Sequence, residues 1–269
     1  MQSDFKQSTL LKTNIKVRLD YDLKFRNLEI KTKPMHAKNL LKLSLVLSIL
    51  FAFNLTVSGQ QFGIKASGGI SRITNSMDIS NSTLSIPFVP SGQGGFFYNV
   101  QLGSKSLLGA ELLLSQIEAK EKLEMDLYTL NEFGNRNYLG YRKDNSYRHI
   151  SYLSLPVYYG FKINRLVINA GFQISYSISS SGREKVQGVI EGENFKIDIK
   201  TNDINIKRFD YGPKAGIIYN LTDKLAFEGT YYYGLNNIQK GDQILWKLKV
   251  QQATLGIRYT LWTKEISKH

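Results

Sequence analysis

The 269-residue chain has no cysteine. That excludes disulfide frameworks, cysteine-based metal sites, thiol nucleophiles and a lipid-bearing amino-terminal cysteine. Histidine is nearly as scarce, with only His149 and His269 beyond residue 59. So few imidazoles weigh against most hydrolytic chemistry, which leans on histidine for proton transfer. A Gly-Lys-Ser/Thr phosphate loop and a His-Glu-x-x-His zinc pair are also missing, and neither cofactor nor metal is expected. Gly92-x-Gly94-Gly95 opens a strand-like segment and not a helix, so it reads as packing glycine. A membrane-crossing helix needs ~20 apolar residues. The longest such run, from Leu43 to Phe53, has eleven.

What is present is an excess of positive charge, 35 Lys/Arg against 22 Asp/Glu. Residues 1–59 hold ten of the cations and four of the acids, and the remaining charges are interleaved. An interleaved excess is a solvated surface rather than a nucleic-acid stripe, and no nucleic-acid partner is expected.

From Met35 the chain runs through Lys38 and Lys42 into the apolar run and then into small and polar residues ending Val57-Ser58-Gly59. That is the three-part layout of a secretory signal peptide over 35–59, with cleavage after Gly59 leaving Gln60 first. Residues 1–34 carry eight Lys/Arg and four Asp/Glu with no sustained apolar period. They are read as a mis-assigned start, with translation from Met35, or as a disordered extension.

Beyond Gln60 the apolar residues alternate with small or polar ones. Leu166, Ile168, Ala170, Phe172, Ile174, Tyr176 and Ile178 share one face, against Val167, Asn169, Gly171, Gln173, Ser175, Ser177 and Ser179. Period two means a strand. At ~3.3 Å per residue and a tilt near 40°, it covers roughly 33 Å along a membrane normal, more than the ~25 Å apolar band of an outer membrane. Seven further segments alternate less purely, around Ile64, Tyr98, Leu112, Val157, Ile217, Phe227 and Ile257. Short links at 103–106, 162–165 and 221–224 alternate with long ones at 74–91, 120–148, 180–203 and 236–246. The reading is all-β: an eight-stranded antiparallel transmembrane barrel over 60–262, with a tail at 263–269.

A soluble lipocalin-like barrel has the same strand number but a polar exterior. Here the charged faces, with Glu111, Arg208, Asp210, Lys214, Glu228 and Arg258, are narrow and glycine-rich, while the opposite faces are bulky. Lipid is therefore expected outside and charge inside. Phe161, Tyr176, Tyr219, Phe227, Tyr233, Tyr259 and Trp262 fall where interfacial girdles belong. An eight-stranded barrel is narrow enough to be filled by side chains, so the six charges are expected to pair across the lumen.

Three stretches carry a family resemblance: Tyr152-Leu153-Ser154-Leu155-Pro156-Val157-Tyr158-Tyr159, Tyr231-Tyr232-Tyr233-Gly234-Leu235-Asn236-Asn237-Ile238, and the last strand up to Trp262. Together they resemble the PorT-like outer-membrane β-barrel family of Bacteroidetes-type bacteria. The resemblance implies insertion by the outer-membrane assembly machinery and, through the founding member, a link to a secretion system. Thr254-x-Gly256-x-x-Tyr259-x-Leu261 resembles the carboxy-terminal insertion signal of such barrels, although seven residues follow Trp262.

His149-x-Ser151 resembles the His-x-Ser pair of barrel lipid A deacylases, in which an outward Ser attacks an acyl ester. The stretch after Ser151 offers no acid on that face through Phe161. The expected function is therefore structural or partner-binding and not enzymatic. It places the protein in the outer membrane, in contact with its lipid and with a protein partner at the long loops. A narrow porin-like channel and a lipid A-modifying enzyme are the alternatives.

Overall fold

The computed structural model describes residues 59–75, 82–130, 135–204, 206–240 and 247–264. The expected extension 1–34, the signal segment up to residue 58 and the tail from 265 lie outside the described residues.

Ten strands follow in chain order: β1 (Gln60–Asn75), β2 (Ser82–Ser85), β3 (Val89–Gln101), β4 (Ser106–Leu130), β5 (Arg136–Ile163), β6 (Leu166–Ile190), β7 (Glu193–Thr201), β8 (Phe209–Asn220), β9 (Leu225–Tyr233) and β10 (Leu248–Lys264). Eight of them close a ring in the order β1-β3-β4-β5-β6-β8-β9-β10, every pair antiparallel, with β10 returning to β1. Closure leaves no unpaired edge within the ring.

The alternation decides which solvent each face meets. β8 switches between exposed and buried from Phe209 to Ile218 without a break. Phe172, Tyr231, Ile174, Ile217 and Leu255 point outward, at 44%, 45%, 50%, 52% and 76% exposure, while Gln173, Ser175, Thr254 and Arg258 are buried in the lumen. A belt of exposed aliphatic side chains of this breadth is stable only against lipid. Phe161, Tyr219, Phe227, Tyr259 and Trp262 ring its lower edge, beside the short turns, and Tyr176 and Phe209 pack edge to face at 4.9 Å near the upper one.

The three short links match the expectation. Asn164 and Arg165 alone join β5 to β6, with Asn164 at φ 54°, a left-handed conformation that asparagine tolerates. The termini of the ring, Gln60 and Lys264, pair at this same end.

Two of the four long links are not loops. Residues 120–148 and 180–203 were expected to leave the sheet, but β4 and β5 stay paired up to Leu130↔Arg136, and β6 folds back on β7 at Glu191-Gly192. Both turn residues have positive φ, 52° and 82°, as a two-residue hairpin turn requires. The apolar period stops where the membrane stops, while backbone pairing does not. At ~3.3 Å per residue and a tilt near 40°, the 28 residues of β5 span roughly 70 Å along the normal, against a band of ~25 Å. Within 74–91, β2 pairs the extended part of β4 at Ser82↔Met125. In 236–246, residues 241–246 lie outside the described residues.

The lumen is packed in three layers. Leu107, Tyr158, Val167, Ile218 and Ala226 form an apolar floor by the short turns. Ile73, Ile117, Ala119, Ile150, Tyr152, Tyr232, Ile238, Leu248 and Val250 form an apolar ceiling, joined by Ile204 and Ile206. Charged and amide side chains lie between them. The ceiling is closed by the link after β9, where the Ile238 carbonyl accepts from the Lys207 amide at 2.6 Å.

Candidate functional site

The central layer draws its charges from five strands of the ring. Glu111 on β4 is the hub: its carboxylate accepts from Lys65 of β1 at 3.1 Å and from Lys214 of β8 at 2.8 Å, and lies 3.7 Å from Arg258 of β10. Glu228 of β9 contacts Lys65 and lies 3.5 Å from Arg258. All five side chains are at most 4% exposed. Arg258 is further fixed by donating to the Tyr158 hydroxyl at 2.9 Å and lying 4.0 Å over the Phe97 ring. The Tyr158 hydroxyl in turn donates to Asn99 at 2.8 Å. Three cations interleave with two carboxylates in one buried layer.

Two of the six residues expected here are elsewhere. Asp210 is buried in the lumen near the ceiling, where it accepts from the Tyr232 hydroxyl and the Tyr211 amide, both at 2.9 Å. Beside it Ser115, Tyr152 and Gln173 line a small cavity, each with a side-chain oxygen left without a partner. Arg208 is exposed and donates to the Tyr176 hydroxyl at 3.1 Å. It precedes β8, so the strand parity that places Asp210 inside does not extend to it. The sequence reading also left out Lys65, although its place opposite Ile64 on the alternating first strand was the signal for it.

On the outside, His149 and Ser151 occupy β5 just above the lipid-facing belt. No acid follows Ser151 on its own strand, but one comes from the neighbour: Glu118 of β4 is the direct partner of His149, with Oε1 3.6 Å from Nδ1. Cross-strand pairs are invisible to a reading along one strand. Among the described residues, no group of three or more histidines and acids could hold a metal ion.

Above this level β4, β5, β6 and β7 form a sheet that stands clear of the ring. Its inner face carries Leu123 and Val186, both buried, together with Phe195 and Ile197. Its outer face is polar and aromatic, with Lys120 5.0 Å from the Tyr147 ring and Arg183 bonded to both oxygens of Asp198, at 2.9 and 2.6 Å.

A family model described as "Outer membrane protein beta-barrel domain" matches residues 51–240. The chain belongs to this family. The lipid-facing belt is therefore the transmembrane surface of an outer-membrane protein. The family description covers the barrel at large and does not single out the PorT-like subset.

Solved outer-membrane proteins are similar to this chain at low identity. Ail, the attachment invasion locus protein of Yersinia pestis, is 13% identical, covering 76% of this chain and 100% of its own, with a TM-score of 0.33. OprG of Pseudomonas aeruginosa is 13% identical over 76% of this chain and 97% of its own, at 0.35. Neisserial surface protein A is 10% identical over 76% and 100%, at 0.32. The comparison with curated proteins gives no match.

Proposed function

We propose that this outer-membrane barrel acts through the tall sheet above the membrane, as a structural or partner-binding protein, and neither as a pore nor as an enzyme. The filled lumen supports this reading: an apolar floor, five paired charges and an apolar ceiling occupy the path a solute would take. In outer-membrane barrels the short turns are periplasmic and the long connections face outward, which puts the β4–β5 and β6–β7 hairpins outside the cell. Removal of the signal segment 35–59 and insertion by the assembly machinery belong to the same proposal. Membership of the PorT-like subset, and with it a link to secretion, refines the reading and rests on the aromatic motifs alone.

The test replaces residues 122–145 with an Asn-Gly turn in the full chain. The shortened barrel is expected to keep its heat-modifiable migration on gels and to lose complementation of a deletion strain's outer-membrane defect. A shortened barrel that complements fully contradicts the reading.

One contact favours a second reading, lipid modification. Glu118 gives His149 the acidic neighbour that a Ser-His-acid arrangement uses to orient its base. If Ser151 attacks an acyl ester, Ser151→Ala restores the missing acyl chain in the mass spectrum of lipopolysaccharide. An unchanged spectrum removes this reading.

A further inference from the structure

The register of the extended sheet gathers five of its outward cations in two adjacent rows, below a third in which Lys143 pairs with Glu124. Lys120, Tyr147, Arg183 and Lys200 stand directly opposite one another across β4, β5, β6 and β7. The next row holds Lys122, Asn145, Lys185 and Asp198. A bulge at Ile178 and Ser179, both exposed, switches the parity of β6 and so brings Arg183 and Lys185 to the outside. The two rows present five cations and one carboxylate, which Arg183 already binds. No ion pair among the described residues takes up Lys122, Lys185 or Lys200. Adjacent strands are about 4.8 Å apart, so Lys120 and Lys200, at the two ends of the first row, flank a strip roughly 15 Å wide.

Height identifies the occupant. The last lipid-facing aliphatic residues are Leu114 on β4 and Leu153 on β5, six residues below the first basic row, and Ile178 on β6, five residues below Arg183. Six residues at ~3.3 Å and a tilt near 40° amount to roughly 15 Å. A phospholipid headgroup layer is only about 5–8 Å deep. A lysine or arginine reaching down from the row meets phosphate several ångströms above the acyl boundary, where a sugar headgroup carries it. Between the aliphatic edge and the row lie Gln116, Ser151 and Ser179, then Glu118, His149 and Ser181, a polar strip with one acid. Tyr147 lies at the centre, 40% exposed, and Lys120, Lys185 and Lys122 around it lower the pKa of its hydroxyl.

We propose that the outward face formed by Lys120, Lys122, Tyr147, Arg183, Lys185 and Lys200 binds the phosphates of a phosphorylated glycolipid in the outer leaflet. The inference rests on the reading that the tall sheet carries the function, and it names the partner of that sheet's outer face. Binding is electrostatic and charge-assisted, with the tyrosine ring offering a flat apolar surface to a sugar. The β4–β7 sheet then leans on the lipid surface, which holds it upright above an otherwise short barrel.

The test uses the full-length protein in phosphatidylcholine nanodiscs doped with lipopolysaccharide, either intact or enzymatically dephosphorylated, and counts bound glycolipid by native mass spectrometry. Intact glycolipid is expected to be retained at least ~10-fold better than the dephosphorylated form, and Lys120→Gln/Arg183→Gln/Lys200→Gln to abolish that preference. Lys162→Gln/Lys224→Gln, at the opposite rim, is expected to leave it unchanged. Heat-modifiability confirms that each variant is folded. Equal retention of the two glycolipids, a preference that survives the triple substitution, or equal retention of phosphatidylglycerol overturns the inference. A preference lost in the triple variant, with full complementation by the hairpin-shortened barrel, upholds this inference and sinks the broader reading.

Discussion

The Tyr158 ring lies where a side chain on Gly109 would be. A Cβ at Gly109 would fall 2.2 Å from the ring, and only because the ring covers that backbone does its hydroxyl reach Arg258 at 2.9 Å and Asn99 at 2.8 Å. A glycine on one strand thus sets the position of a charge three strands away.

Gly109→Ala is therefore expected to displace the ring and cost about 1–3 kcal/mol. Tyr158→Phe keeps the ring and loses only the hydroxyl, at about 1–2 kcal/mol. Urea unfolding in detergent checks both, and a double-mutant cycle between Gly109→Ala and Tyr158→Leu should depart clearly from additivity. Additive costs would mean that the close approach has no role.

Arg258→Ala leaves Glu111 and Glu228, both buried, each short of one cation. The expected loss is about 3–5 kcal/mol, the usual cost of breaking a buried pair from one side. It should appear as a lower temperature for the gel shift from folded to unfolded migration. An unchanged shift would indicate a wet lumen in which the pairs count for little.

On the outer face, Phe172→Arg is expected to cost about 2–4 kcal/mol, because the charge meets hydrocarbon near mid-membrane. Tyr141→Arg, above the membrane on the tall part of β5, should stay within about 0.5 kcal/mol. Equal effects at the two positions would mean the belt does not face lipid.

The β6–β7 hairpin should loosen in acid. The Arg183 guanidinium bonded to Asp198 holds that carboxyl below its ordinary range. A carboxyl lowered in the folded state contributes stability that is fully present above its unfolded value, about 3.9, and is lost as pH falls through the lowered folded value. Pepsin cleavage near Phe195 should rise below about pH 4 in the native chain and become independent of pH over that range in Asp198→Asn. A native chain with the flat profile of Asp198→Asn would remove the role given to this pair.

The ring itself was legible in the sequence because lipid on one side and packed side chains on the other impose a strict two-residue period. β6 and β8 show it almost without error. The height of the sheet was not legible, since beyond Leu114 and Leu153 neither face of β4 or β5 meets hydrocarbon and the apolar period that marks a strand lapses. Polar runs such as Lys120-Glu121-Lys122 then look like loop while the backbone remains paired to Tyr147-Ser146-Asn145. Arg208 was misplaced by extending a strand's parity one residue past its start. Glu118 was missed beside His149 because register between strands is written in no single strand.

The claim that the barrel is plugged, and acts outside its lumen, is tested most directly by the single-channel current of the purified full-length protein in a planar bilayer. The account predicts no steady current for the native protein at either polarity, with openings appearing in Arg258→Ala. A stable ohmic conductance in the native protein, unaltered by Arg258→Ala, would contradict it.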